Sequence, residues 1–210
     1  MKGVEIMKKQ RAFYEYLSID KPICFNQANT NTDIVAEIPD ILEDSKNILH
    51  DNSIKYATTW ILEKDLWVQH EKGQITPIKE KLSRGRIVLV NPGVSGIGRE
   101  QRYMHNYIVL GEYQETFIGV PVTNMAYNDK TREHYLRNFF EVELIDPETE
   151  KKFNEYRCSK PSVADVRNIA GLDKRRIIQN DLYHDKKFVP NTYLNAISEK
   201  IRSSLAIIQK

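Results

Sequence analysis

Between Arg84 and Asn124 the chain reads RGRIVLVNPGVSGIGREQRYMHNYIVLGEYQETFIGVPVTN, and no other stretch narrows the possible folds as much. Three short apolar runs, Ile87–Val90, Tyr107–Leu110 and Phe117–Val122, alternate with a glycine-bearing basic loop and a polar turn. Runs of this length, rich in Val, Ile and Tyr and bounded by turn residues, are antiparallel strands. They predict a small β-barrel. The loop 91–106 gathers Arg99, Glu100, Gln101, Arg102 and His105, and the third run ends in Thr123 and Asn124. Charged, amide and hydroxyl groups would therefore collect at one sheet edge, and such groups bind phosphate oxygens and move protons.

At 210 residues the chain is longer than one small barrel requires. The partition expected is a helical extension over 1–83 and a barrel domain over 84–210. In the extension, Ile54, Ala57, Trp60, Ile61 and Trp67 recur near helical spacing, which predicts a helix with a packed aromatic face. An earlier helix is expected to begin after Ile38-Pro39, because proline suits a first helical turn. Past the three strands, Phe139–Leu144 alternates and reads as a fourth, Tyr156–Cys158 and Ser162–Ile169 as further strands, and Asp173 as the cap of a short helix over Lys174–Gln179. Met125–Asn138 is polar and reads as a long loop. Leu194, Ile197, Ile201, Leu205 and Ile208 mark one apolar face of a closing helix.

The formal net charge is +2, too mild to establish a nucleic-acid partner. Its distribution is more informative. Residues 1–83 carry 11 Lys and Arg against 13 Asp and Glu, so of the chain's 31 and 29, residues 84–210 hold 20 and 16. The basic surplus belongs to the expected barrel. Two cysteines, Cys24 and Cys158, make neither a disulfide framework nor a zinc motif, and a reducing cytoplasm is the compartment expected. No run of 18 apolar residues predicts a membrane span. Gly93-x-x-Gly96-x-Gly98 lacks the lysine of a phosphate-cradling loop, and the histidines show no metal-ligand spacing, so neither cofactor nor metal is expected.

The order of short motifs resembles the MazF/PemK (Kid-like) toxins of bacterial toxin-antitoxin systems. Arg84-Gly85-Arg86 opens the first strand, Gly98-Arg99-Glu100-Gln101 lies in the loop, and Val120-Pro121-Val122-Thr123 ends the third strand. Ser162-Val163, Ile169, Leu172-Asp173-Lys174 and Arg176-Ile177 continue the likeness downstream. His105-Asn106 stands where the family has Arg-Pro, Ala170 replaces an arginine, and Arg167 falls where some members carry an acid, with Asp165 two positions earlier.

The resemblance implies an α+β fold, a small antiparallel SH3-like β-barrel with a C-terminal helix, here preceded by a mostly helical segment. It implies an endoribonuclease that cuts single-stranded RNA by 2′-OH attack without metal, a homodimer, and silencing by a protein antitoxin. Such cleavage needs a base, a phosphate clamp and an acid. Arg102, His105, Thr123 and Asp165 are the catalytic candidates; Arg99, Gln101, Asn124, Arg167, Lys174 and Arg176 are the RNA-binding ones. The alternative is a binding module that kept the fold but lost catalysis, acting on RNA, an antitoxin or, like the CcdB branch, DNA gyrase.

Overall fold

The structure is a computed structural model, and it describes residues 32–93, 103–144, 161–178 and 188–208. Contacts divide the chain into two compact units, Met1–Ser53 and Ile54–Lys210. The first contains helix α1 (Thr32–His50), with Pro39 inside it. The helix therefore starts seven residues before the expected proline, which at this depth removes a backbone hydrogen bond without ending the helix. Val35, Ile38, Ile41, Leu42 and Ile48 form an exposed stripe along it.

The second unit opens with α2 (Ile54–Glu71), whose buried residues are Thr59 and Glu63. Trp67 is 59% exposed, against the core packing its spacing suggested. Helix periodicity identified the helix but not which face is covered.

The strands are β1 (Ile87–Val90), β2 (His105–Tyr113), β3 (Thr116–Asn124), β4 (Ala126–Asn128), β5 (Glu133–Tyr135), β6 (Glu141–Leu144), β7 (Ser162–Asp165) and β8 (Ala170–Asp173). Six form one antiparallel sheet in the order β1-β2-β3-β7-β6, with β8 also paired to β3. β3 is the organising strand. One edge takes β2; the other takes β8 along Thr116–Gly119 and β7 along Val122–Asn124.

The expected α+β class and antiparallel sheet are present, but the sheet is not a closed barrel. β1 and β6 remain its two ends, and among the described residues the β1 side meets single bridges, Val90 to Ile177 and Arg86 to Phe188.

Both sheet faces are buried, which explains why the strands read as near-continuous apolar runs. Ile108, Val120, Val122, Val142, Leu144 and Ala164 pack on one face with Leu194 and Ile197 of α3 (Asn191–Ile208). Val88, Val90, Tyr107, Val109, Phe117 and Leu172 pack on the other. The C-terminal helix thus lies on the sheet as its periodicity predicted. Gly85 admits it closely: its φ is +87°, and a Cβ there would stand 2.9 Å from Leu194 Cδ1.

Two expectations fail for local reasons. Met125–Asn138 is not a structureless loop but contains the β4–β5 hairpin, with Tyr127 opposite His134. Its strands are only three residues long and its turn is polar, so alternation had no length in which to show. Ser162–Ile169 is not one strand either: the Asp165 side chain accepts from Arg167 N–H and starts a 3-10 turn over Val166–Asn168. The strand expected at Tyr156–Cys158 lies outside the described residues. Asp173 does cap a short turn, Lys174–Arg176, shorter than the helix expected.

Candidate nucleic-acid site

His105 begins β2 and pairs with Val90, while the next residue, Asn106, pairs with Val122. The neighbouring register position on β3 is Thr123, which itself pairs with Val163 of β7. His105 and Thr123 thus occupy adjoining strands at the same end of the sheet. Successive side chains alternate between faces, so both share the face of Tyr107 rather than that of Ile108. Asp165 and its partner Glu141 fall on this face too, one pleat repeat further along. Adjacent strands lie about 4.8 Å apart and two residues rise about 6.7 Å, which puts the Thr123 and Asp165 backbones roughly 8 Å apart and those of His105 and Asp165 roughly 12 Å apart. Asp165 is too far across the sheet to orient the histidine directly.

Asp165 is 3% exposed, and its carboxylate is fully engaged. Oδ1 accepts from the Arg167 backbone N–H at 3.1 Å and from Arg167 Nε at 3.0 Å. Oδ2 accepts from Arg167 Nη2 at 2.8 Å and from Asn168 Nδ2 at 3.0 Å. Burial alone would raise its pKa, but the hydrogen bonds and charge of Arg167, with Asn168, outweigh burial and hold it below the usual value. A carboxylate with filled acceptor sites and a lowered pKa is a poor proton acceptor. Its chemistry is to hold Arg167, whose guanidinium pKa is raised by the same contact.

Directly across the β6–β7 ladder, Glu141 does the same for Arg137. Its Oε2 accepts from the Arg137 backbone N–H at 2.6 Å and its Oε1 from Arg137 Nη1 at 3.2 Å. The other arm, Nη2, donates 2.8 Å to the Asn124 carbonyl, one residue from Thr123. The Arg137 and Arg167 side chains remain 43% and 37% exposed while their carboxylates are buried. Two guanidinium groups are therefore anchored from below, with donor edges open to solvent, a geometry suited to phosphate oxygens. Arg137 was not a sequence candidate, because it sits in a stretch read as loop. The buried acid in Phe140-Glu141-Val142 was the available signal.

Thr123 is half-buried, and among the described residues no group bonds its hydroxyl. Asn124 is exposed but belongs to the opposite face, contributing its carbonyl through Arg137. Tyr107, two residues from His105 on the same face, is pushed by burial up to about 12 despite the nearby Arg176, so its hydroxyl stays protonated at neutral pH.

Two nominated cations serve other partners. Lys174 is 4% exposed and forms a 2.8 Å ion pair with Glu112, whose Oε2 also accepts from Leu82 N–H at 2.7 Å. Burial would raise the Glu112 pKa, but Lys174 and the Leu82 amide lower it below its ordinary value. Arg176 Nη1 donates to the carbonyls of Asn91 at 3.3 Å and Pro92 at 3.0 Å, fastening the loop where it leaves β1. Neither is presented as a phosphate ligand. The charged-run reading missed this because periodicity does not show which cations a fold turns inward. Arg99, Gln101 and Arg102 lie outside the described residues.

No family model and no curated protein matches this chain. Among solved structures it is similar to the crystal structure of MazF, form I, from Deinococcus radiodurans, at 20% identity and a TM-score of 0.43, with 61% of this chain and 99% of that chain covered. It is also similar to the MazE–MazF structure, form II, from the same organism, at 17% identity and a TM-score of 0.40, with 61% and 98% covered.

Helix α2 lies against the base of the loop. Gly93 (φ +91°) packs on the Glu63 carboxylate so closely that any Cβ would collide with it. Lys55 Nζ sits 4.6 Å from the Tyr103 ring centre, and Tyr103 N–H donates 2.8 Å to the Gly93 carbonyl, pinching the loop shut at its root. Asn91 Oδ1 accepts from Gly93 N–H at 3.0 Å. Two cavities are lined in part by α2, one of about 260 Å³ with Asn91 and Tyr103 and one of about 210 Å³ with Asp173 and Arg176. No group of three or more His, Cys, Asp or Glu able to hold a metal occurs among the described residues, and no described helix is long and apolar enough to cross a membrane.

Proposed function

We propose that this protein is a toxin-like endoribonuclease that cleaves single-stranded RNA by attack of the ribose 2′-OH on the adjacent phosphate, without a metal ion. The observation that carries the reading is the shared sheet face. His105 and Thr123 adjoin at its end, and Arg137 and Arg167 stand on buried carboxylates beside them. The order of the MazF/PemK-like motifs supports it independently.

In this reading His105 moves the proton, since an imidazole can both accept and donate one. Thr123 donates a hydrogen bond to a non-bridging phosphate oxygen. Arg137 and Arg167, with Arg102 from the loop, stabilise the pentavalent phosphorane, where charge grows on equatorial oxygens. The bond formed is from O2′ to phosphorus, and the bond broken is to the 5′-oxygen, which leaves with a proton. The products are a 2′,3′-cyclic phosphate and a 5′-hydroxyl. Asp165 acts through Arg167 rather than on the substrate, Arg99 and Gln101 are assigned to RNA binding, and Asn124 contributes through its carbonyl, which holds Arg137.

Residues 84–210 form the toxin-like domain in this proposal and 1–83 a helical extension, working in the cytoplasm as a homodimer under the control of a protein antitoxin. The extension acts as a built-in partner, as the contact of α2 with the loop root suggests. Purified protein incubated with a diverse single-stranded RNA pool in excess chelator tests the activity, with cyclic phosphate ends as the positive result. A second reading, a binding module without catalysis, is favoured by one observation: all acceptor positions of Asp165 are occupied by its own turn. Tight RNA binding with no cleavage would select it.

A further inference from the structure

We infer that the β4–β5 hairpin is a base-stacking arm that binds single-stranded RNA beside the catalytic face. The inference rests on the RNA reading above and adds a subsite to it. Tyr127 and His134 are paired across the hairpin, so both rings emerge on one side of it. Their centres are 4.9 Å apart at a 51° tilt, and Tyr127 is 47% exposed. An aromatic pair with one ring about half open to water leaves that ring available to a nucleobase.

His134 is held by packing rather than by polar contacts. Its Nδ1 is buried and has no hydrogen-bond partner among the described residues. The turn joining the strands is built by Asn128, whose Oδ1 accepts from Lys130 N–H at 3.0 Å and Thr131 N–H at 3.4 Å. Its cations are Lys130 and Arg132, both exposed, and among the described residues neither forms an ion pair. Aromatic face and free cations together match the base and the phosphate of a single strand, which needs no duplex groove.

Position ties this arm to the site. β4 starts two residues after the end of β3, buried Met125 fixes the junction, and Arg137 at the hairpin's exit bonds back to the Asn124 carbonyl. A strand whose phosphate lies between Thr123 and Arg137 therefore meets the hairpin within a nucleotide or two.

The test is fluorescence anisotropy with a labelled 2′-O-methyl single-stranded RNA, which binds but lacks the attacking hydroxyl. Tyr127→Ala should weaken binding about tenfold, the loss of roughly one stacked base, and Tyr127→Trp should restore it. Lys130→Ala with Arg132→Ala should lower the slope of log affinity against log salt by about 1.4, two single-strand phosphate contacts. Unchanged thermal melting of these variants keeps the comparison one of binding. Equal affinity of wild type and Tyr127→Ala, the result expected if the hairpin meets a protein partner instead, overturns the inference even where RNA is cut. Hairpin-dependent binding without cleavage of ordinary RNA sustains it and removes the nuclease. A wild type that does not bind the probe overturns both.

Discussion

Glu141 and Asp165 face each other across β6 and β7, both buried, and each holds the guanidinium of a different arginine, Arg137 and Arg167. Two carboxylates at this spacing repel unless each is neutralised, and the two arginines accomplish that while remaining half open to solvent.

Acid should weaken the fold through Asp165. Its folded-state pKa is lowered, so between that value and the ordinary value near 3.9 the unfolded chain binds more protons and stability rises with pH. The contribution is complete above about pH 5 and fades as pH falls through the folded value. Urea unfolding between pH 3 and 7 should show a shallower pH dependence in Asp165→Asn than in the wild type. Identical slopes would refute the assignment. At neutral pH the same variant should lose about 2 kcal/mol, from hydrogen bonds to a buried carboxylate whose partner is one-third exposed.

Lys174→Ala should destabilise the protein by about 2 kcal/mol, because it leaves the partly buried Glu112 carboxylate without its buried cation. Lys174→Met with Glu112→Leu should recover much of that loss. RNA affinity should not follow Lys174; a fall in affinity at unchanged melting temperature would return this residue to the RNA interface.

Gly93→Ala should loosen α2 from the loop root. The substitution pushes a methyl group into the Glu63 carboxylate and also strains a left-handed backbone at about 1–2 kcal/mol. Glu63→Ala in the same chain should relieve the collision but not the strain, giving a double-mutant coupling measurable by urea unfolding. Full additivity would mean that the two residues do not touch.

Arg137→Lys should cut RNA more slowly by about 10-fold or more, because an ammonium cannot bond Glu141 and the Asn124 carbonyl while also presenting a fork to phosphate. Single-turnover cleavage at saturating RNA isolates this effect from binding. An unchanged rate would take Arg137 out of the transition state.

The sequence revealed the sheet because β1, β2 and β3 are covered on both faces and so appear as apolar runs. It revealed α3 because Leu194, Ile197 and Ile201 recur at helical spacing and pack on the sheet, although Leu205 further along the same face is 57% exposed. It predicted closure where none occurs, since strand count carries no information on whether β1 and β6 meet. Of the candidate site, the adjacency of His105 and Thr123 was legible, because both stand at strand ends beside a loop. Arg137 stayed hidden because its role depends on Glu141, a register neighbour only once β6 is paired with β7. Lys174 misled because a charged residue in a basic cluster is ordinarily solvated, and only the fold brings Glu112 to it.

The most direct measurement is end-group analysis of a single-stranded RNA incubated with the purified protein in excess EDTA, alongside His105→Ala and Thr123→Ala. The account predicts fragments ending in 2′,3′-cyclic phosphate with 5′-hydroxyl partners, and rates about 100-fold lower in each variant. Fragments bearing 5′-phosphate that form only with added divalent metal, or cleavage that persists unchanged in both variants, would contradict it.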